Sequence, residues 1–262
     1  MDLNLQGKRA IVCGGSQGIG LAIAKQFAAQ GANVTIISRD TKHLNDALSQ
    51  LDISQAQQHH TLMMDFGSPE EVRAVIKNYA KNNPDVQILV NNSGGPRSGK
   101  ILDIGTDEFK EAFLQHLVSD HLMAKTLVPL MQKNGYGRII NILSISVKEP
   151  IKNLGVSNAV RAAVANWAKT LAEEVAIDGI TVNNILPGPT ETKRIENLIE
   201  DFARRRRVDY DTVKKEMEDE IPLKRFAKAE EIANVVGFIA SPAASYINGI
   251  NLPVDGGKLA SL

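Results

Sequence analysis

The sequence contains one cysteine, Cys13, in 262 residues. That scarcity excludes an internal disulfide framework and a cysteine-rich zinc site, and it makes a reducing compartment, the cytoplasm, the expectation. Net charge is missing as well. The 30 Lys and Arg residues balance 30 Asp and Glu, so no global field draws the protein to nucleic acid or to an anionic membrane. No window approaches the ~20 apolar residues of a membrane span. The opening MDLNLQGKR has neither the basic start nor the apolar stretch of a signal peptide. No Pro/Gly/Ser linker, repeat or low-complexity tract divides the chain. The expectation is a soluble protein of one domain, residues 1–262, whose partner is a small molecule rather than a nucleic acid or a membrane. With 43% hydrophobic residues it has material for a full core.

What is present is an alternation. Short β-branched runs at 9–13, 33–38, 60–64, 88–91, 138–143, 181–186 and 251–254 are separated by helical patterns at 19–30, 42–51, 69–82, 106–133, 156–178 and 228–240. This order predicts an α/β fold of Rossmann type, doubly wound, with a seven-stranded parallel sheet and helices on both faces. In the fifth of these helices, Val160, Ala163, Val164, Trp167 and Leu171 fall at the spacing of a buried stripe. The segment 190–223 stands apart: it is highly charged, carries Arg204 to Arg207 in a row, and sits where such a fold places a helical lid over its substrate.

Directly after the first strand comes Gly14-Gly15-Ser16-Gln17-Gly18-Ile19-Gly20, and then a helix. Strand, glycine turn and helix in that order let backbone N–H groups and the helix N-terminus approach a pyrophosphate, which marks a dinucleotide site. At the end of the second strand, Ser38-Arg39 stands where an NAD-selective site presents an acid to the ribose 2′-hydroxyl. A cation there suits a 2′-phosphate and favours NADP over NAD, although the neighbouring Asp40 pulls the other way.

With the glycine turn, four further motifs occur in order: Asp65, then Asn91-Asn92-Ser93-Gly94, Ser144, and Pro187-Gly188, before a closing Val254-Asp255-Gly256-Gly257. On these motifs the chain resembles the short-chain dehydrogenase/reductase family over nearly its whole length, in the branch similar to 3-oxoacyl-carrier-protein reductases. The resemblance implies that Gly14, Ser16, Gln17, Gly18, Ile19 and Gly20 hold the cofactor phosphates and Ser38 and Arg39 its ribose phosphate. It implies that Asp65 contacts the adenine edge, that Asn91 and Gly94 line the groove, and that Pro187, Gly188 and Thr192 lie along the nicotinamide and pyrophosphate. It also implies a homotetramer or homodimer.

The same resemblance exposes a departure. The family catalyses with Asn, Ser and a Tyr-x-x-x-Lys pair, in which the Lys ammonium lowers the Tyr pKa and holds the nicotinamide ribose. Counting thirteen residues on from Ser144 reaches Ser157, and four more reach Arg161. The family's Asn position falls on His116. Serine is far less acidic than tyrosine, whose pKa is ~10, so Ser157 beside Arg161 is no direct substitute as proton donor. Arg161 retains a donor fork for ribose hydroxyls but does not cycle protons. His116 reads either as an acid/base group or as a helix histidine bonded to a backbone carbonyl. Ser144 reads as a substrate hydrogen-bonder or as a strand-ending hydroxyl.

Other candidates read as structural. Consecutive arginines point around a helix, so Arg204 to Arg207 are expected to pair with acids such as Glu216, Glu218, Asp219 and Glu220 rather than form one phosphate site. His59-His60 lacks partners at metal-ligand spacing, and Cys13 reads as a small core residue. Two functions remain. One is an NADP-dependent oxidoreductase acting on a carbonyl, an alcohol or an activated double bond with the catalytic set Ser144, His116, Ser157 and Arg161; the other is a nucleotide-binding protein on the same fold without redox turnover.

Overall fold

The computed structural model describes residues 1–261. In chain order the elements are β1 (Arg9–Cys13), α1 (Gly18–Ala29), β2 (Asn33–Ser38), α2 (Thr41–Leu48), β3 (His60–Met63), α3 (Pro69–Asn82), β4 (Val86–Asn91), α4 (Thr106–Phe113), α5 (Ser119–Asn134), β5 (Gly137–Ile142), α6 (Gly155–Glu174), β6 (Ile180–Pro187), α7 (Lys193–Arg206), α8 (Tyr210–Asp219), α9 (Ala229–Ala240) and β7 (Asn251–Val254). The strands form one sheet in the order β3-β2-β1-β4-β5-β6-β7, and every neighbouring pair is parallel. The winding reverses between β1 and β4. In a doubly wound sheet, ligands bind at the carboxyl ends of the strands at that point.

The central strands are apolar on both faces because both are covered. Ala10 and Val12 of β1 join Val34 and Ile36 of β2 in a core beneath α1 and α9. Their neighbours Ile11, Cys13 and Ile37 point the other way, into a core with residues of α3, α5 and α6. Val160 and Val164 of the α6 stripe are fully buried. Cys13 is a free core thiol, and burial raises its pKa well above the ordinary value.

Polar residues cross this apolar sheet in one line. Asn91, Asn141, Asn184 and Asn251 are register partners on β4, β5, β6 and β7. Asn91 Nδ2 donates to Asn141 Oδ1, Asn141 Nδ2 to Asn184 Oδ1, and Asn184 Nδ2 to Asn251 Oδ1, each at 2.8 Å. Asn91 is 2% exposed and its side chain belongs to the ladder inside the sheet, so at the carboxyl end of β4 it is the backbone of Asn91 that faces the expected groove.

Two helices differ from expectation. The helix expected across 106–133 is broken into α4 and α5 by a π-helical turn at Leu114–Val118. At its end Ser119 Oγ lies 2.6 Å from Phe66 O and 2.9 Å from Leu114 O, sharing its one proton between the two carbonyls and anchoring the widened turn to the segment after β3. The helix expected across 156–178 ends at Glu174, and a 3₁₀ turn at Ala176–Asp178 is stopped by Gly179 at φ 72°. The segment 190–223 contains α7 and α8, which enclose a small core of Ile199, Ala203, Val213, Ile221 and Phe226.

Candidate active site

The glycine turn follows β1 at the reversal point. Gly14 and Gly18 take φ of +57° and +54°, which favour glycine. A side chain at Gly20 has no room, since its Cβ would lie 2.1 Å from Gly14 O. From the neighbouring β4 end, Asn92 Nδ2 donates to Cys13 O at 3.2 Å and Gly14 O at 3.3 Å and holds the turn closed. Gln17, which precedes α1, makes no side-chain cap bond. The first N–H groups of α1 are therefore left for an anion.

The expected cofactor residues surround this turn. Ser16 Oγ donates to Ser38 Oγ at 3.1 Å, joining the turn to the end of β2. Beyond Ser38, Arg39 Nη1 lies 3.9 Å from Asp65 Oδ1, so the proposed phosphate and adenine contacts are neighbours. Thr192 crosses to the turn, with Cγ2 3.2 Å from where a Gly18 Cβ would stand. Pro187 ends β6, and Gly188 N donates to Val254 O at 3.0 Å. Gly94 borders open space. Ile19 packs against the core, leaving only its backbone to the turn.

The catalytic candidates meet at the carboxyl ends of β4 and β5. Ser157 and Arg161 lie one turn apart on α6, and Arg161 Nε donates to Ser157 Oγ at 3.1 Å. Arg161 Nη1 donates to Ile142 O at 3.2 Å and Leu143 O at 2.9 Å, which fixes the dyad against the residue before Ser144. Ser144 Oγ accepts from Ser146 N at 3.1 Å, and Asn158 pins the intervening loop by donating to Ile151 O at 2.9 Å. Burial, and then the nearby Arg194, lower the Arg161 pKa to about 10, which still leaves the group charged at neutral pH.

His116 sits within the π-helical turn, 4% exposed. Its Nδ1 shares a 2.8 Å hydrogen bond with Ser93 Oγ, while Nε2 is buried without a partner among the described residues. Burial and the Arg161 charge lower its pKa to about 3. One helical turn on, burial pushes the Asp120 carboxyl well up, against the pull of Arg161. A neutral imidazole and a reluctant carboxylate thus stand beside an arginine.

All four tyrosines are placed elsewhere. Tyr79 bonds Thr35 inside the fold, Tyr136 donates to Ala240 O, Tyr210 packs into the α7–α8 core, and Tyr246 is fully exposed. The arginine run diverges as its helix requires: Arg204 and Arg205 pair with Asp201, and Arg206 pairs with Glu216 of α8. His59 is spent on backbone, accepting from Val34 N and bonding Asp52 O. The reading of the sequence missed four residues. Asn92 and Ser93 lay in a quoted motif, and Asp120 lay one turn from His116. Arg194 carried no signal, because only the docking of α7 brings it to the site.

Fold and turn define a dinucleotide-binding protein of the doubly wound α/β class. The chain belongs to the short-chain dehydrogenase/reductase family; residues 14–258 match the family model described as Enoyl-(Acyl carrier protein) reductase. It is 35% identical over 257 residues to the 3-oxoacyl-[acyl-carrier-protein] reductase FabG of Escherichia coli strain K12, covering 97% of this chain and 98% of the relative. It is 32% identical, over a 266-position alignment that covers 100% of both chains, to the uncharacterized oxidoreductase YvrD of Bacillus subtilis strain 168. Among solved structures, L-sorbose reductase from Gluconobacter frateurii complexed with NADPH and L-sorbose superposes with a TM-score of 0.93 at 33% identity, covering both chains completely. YwfH, an NADPH-dependent reductase involved in bacilysin biosynthesis, gives 0.91 at 28% identity over 97% of this chain and 99% of that one.

Proposed function

We propose that this chain is an NADP-dependent oxidoreductase acting on a carbonyl, an alcohol or an activated double bond, with Ser144, Ser157, Arg161 and His116 as an unusual catalytic set. The observation that carries the proposal is the Ser157–Arg161 pair, hydrogen-bonded at 3.1 Å and clamped to Leu143 beside Ser144. The cofactor fits the residues present. Gly14 to Gly20 and the uncapped start of α1 suit the pyrophosphate, and Thr192 faces Gly18 across the same cradle. Arg39 at the end of β2 favours NADP over NAD. When bound, the nicotinamide supplies or takes the hydride.

The side chains handle the substrate oxygen. Ser144 Oγ already accepts a backbone bond, so its O–H is left to donate. Ser157 Oγ accepts from Arg161, which leaves the Ser157 proton for the same purpose and makes it more acidic. The Arg161 charge stabilises the negative charge that grows on this oxygen. His116 is neutral near pH 7 and supplies no imidazolium, so the proton comes from water and His116 acts as a neutral hydrogen-bonding group. The resemblance to the family supports assembly as a homotetramer or homodimer, and the buried free thiol of Cys13 is compatible with the cytoplasm. No helix is long and apolar enough to cross a membrane among the described residues.

Fluorescence titration with NADPH and NADH, followed by oxidation of bound NADPH against ketones, quinones and enoyl substrates, tests the reading. Tighter NADPH binding with turnover is the expected result. Ser144→Ala should then lower kcat by about a hundredfold with NADPH affinity held within about twofold. Binding without turnover, together with no gain from the double variant Ser157→Tyr and Arg161→Lys, would favour the non-redox alternative.

A further inference from the structure

Two guanidinium groups converge at this site, with no acid in ion-pair distance of either among the described residues. The point where a Cβ would stand on Gly95 lies 3.1 Å from Arg194 Nη2 and 3.5 Å from Arg161 Nη2. A side chain at this position would press on the Arg194 guanidinium and touch that of Arg161, and glycine leaves the space clear. Arg161 spends Nε on Ser157 and Nη1 on two carbonyls, whereas Nη2 makes no hydrogen bond among the described residues. Arg194 reaches the same place from α7, held by a 2.8 Å bond from Nη2 to Pro96 O.

Neither arginine has a carboxylate within ion-pair distance among the described residues. The acid nearest in effect to Arg161 is Asp120, whose burial favours its neutral form. The one nearest in effect to Arg194 is Asp201, already engaged by Ser98 Oγ at 2.7 Å and Arg205 Nη2 at 3.2 Å. Two cations are thus brought together in partial shelter from water, each raising the cost of the other. Such an arrangement is stabilised by an anion that bonds both.

We infer that Arg161 and Arg194 form a subsite for an anionic oxygen group of the substrate, a carboxylate or a phosphate, beside the reacting carbon. The inference rests on the proposed role of Ser157 as the hydrogen-bond donor to the reacting oxygen. Arg161 touches Ser157 through Nε and offers Nη2 to the anion, so the two substrate groups lie on either side of one guanidinium. A substrate that carries its charge close to the reacting carbon suits this arrangement, as a 2-oxo or 3-oxo acid or its phosphate counterpart does. A charge carried at the far end of a long chain is not served by it. Arg194 is the specificity-determining member, because it enters with α7 and its guanidinium reaches Pro96 and Gly95.

The test measures binding of malonate, malonamide and inorganic phosphate to the full chain, with and without NADPH, by thermal shift and calorimetry. NADPH binding is read separately by fluorescence. Wild type should bind malonate or phosphate and not the neutral malonamide, and whichever anion binds more tightly identifies the source of the charge. Arg194→Gln should weaken anion binding by at least about tenfold, and Arg194→Lys should restore part of it. Equal responses to malonate and malonamide, no anion binding in wild type, or undiminished anion binding in a folded Arg194→Gln overturns the inference. Absence of NADPH fluorescence change in a protein that still binds the anion overturns the cofactor reading instead.

Discussion

At the scale of single residues, the site is governed by what burial does to charge. His116 is held neutral because desolvation and Arg161 both oppose its proton, and its pKa falls to about 3. In the unfolded chain the imidazole takes up a proton below about pH 6.5, so the unfolded state binds more protons between there and about pH 3. The contribution of His116 to stability is complete above pH 6.5 and is lost as pH falls through that window. Asp120 works in the opposite sense, since its raised pKa makes the folded state hold the extra proton. A comparison with His116→Asn isolates the histidine: from pH 7 to pH 5 the wild type should lose about 2 kcal/mol relative to the variant, measured by urea unfolding. The same neutrality predicts a kcat/KM profile with no inflection near pH 6.5, and a break there would return His116 to acid/base work.

At the scale of elements, two packings matter. The first is α7 against the loop after β4. Asp201 accepts from Ser98 Oγ at 2.7 Å, and Arg205 donates to Ser98 O at 2.9 Å, while Arg194 reaches Pro96 O. These bonds sit in a partly solvated seam, so they govern local opening more than global stability. Asp201→Ala should raise hydrogen exchange across α7 by about tenfold and leave the melting temperature of the sheet nearly unchanged.

The second packing is the asparagine ladder. Replacing Asn141 by Leu leaves the Asn91 donor and the Asn184 acceptor buried without partners, at a cost of about 2–4 kcal/mol, readable as a fall in urea midpoint. Both seams depend on residues far apart in sequence. The strands themselves were legible from their β-branched runs, and β1, β2 and β7 have the limits that the pattern implies. The break in the 106–133 helix was not legible: a π-helical turn adds one residue without disturbing an apolar pattern visibly, and Ser119 reaches a partner on another segment.

At the scale of the whole molecule, the reversal of winding between β1 and β4 gathers the glycine turn, the Asn92–Gly95 loop, Ser144 and the start of α6 at one end of the sheet. Mass measurement by light scattering should give two or four times the 28.5 kDa chain, as the family resemblance implies; a monomer would remove that part of the proposal. The class of fold, the glycine turn and the positions of Ser144, Ser157, Arg161 and His116 followed from sequence alone, because strand and helix periodicity are local and the motifs are contiguous or lie at fixed offsets. Tertiary structure alone decided that Asn91 faces a ladder and that His116 is stripped of its proton. It also decided that Arg194, thirty-three residues beyond Arg161, arrives beside it. Those outcomes depend on register, burial and the docking of α7, which are set by distant parts of the chain meeting in space.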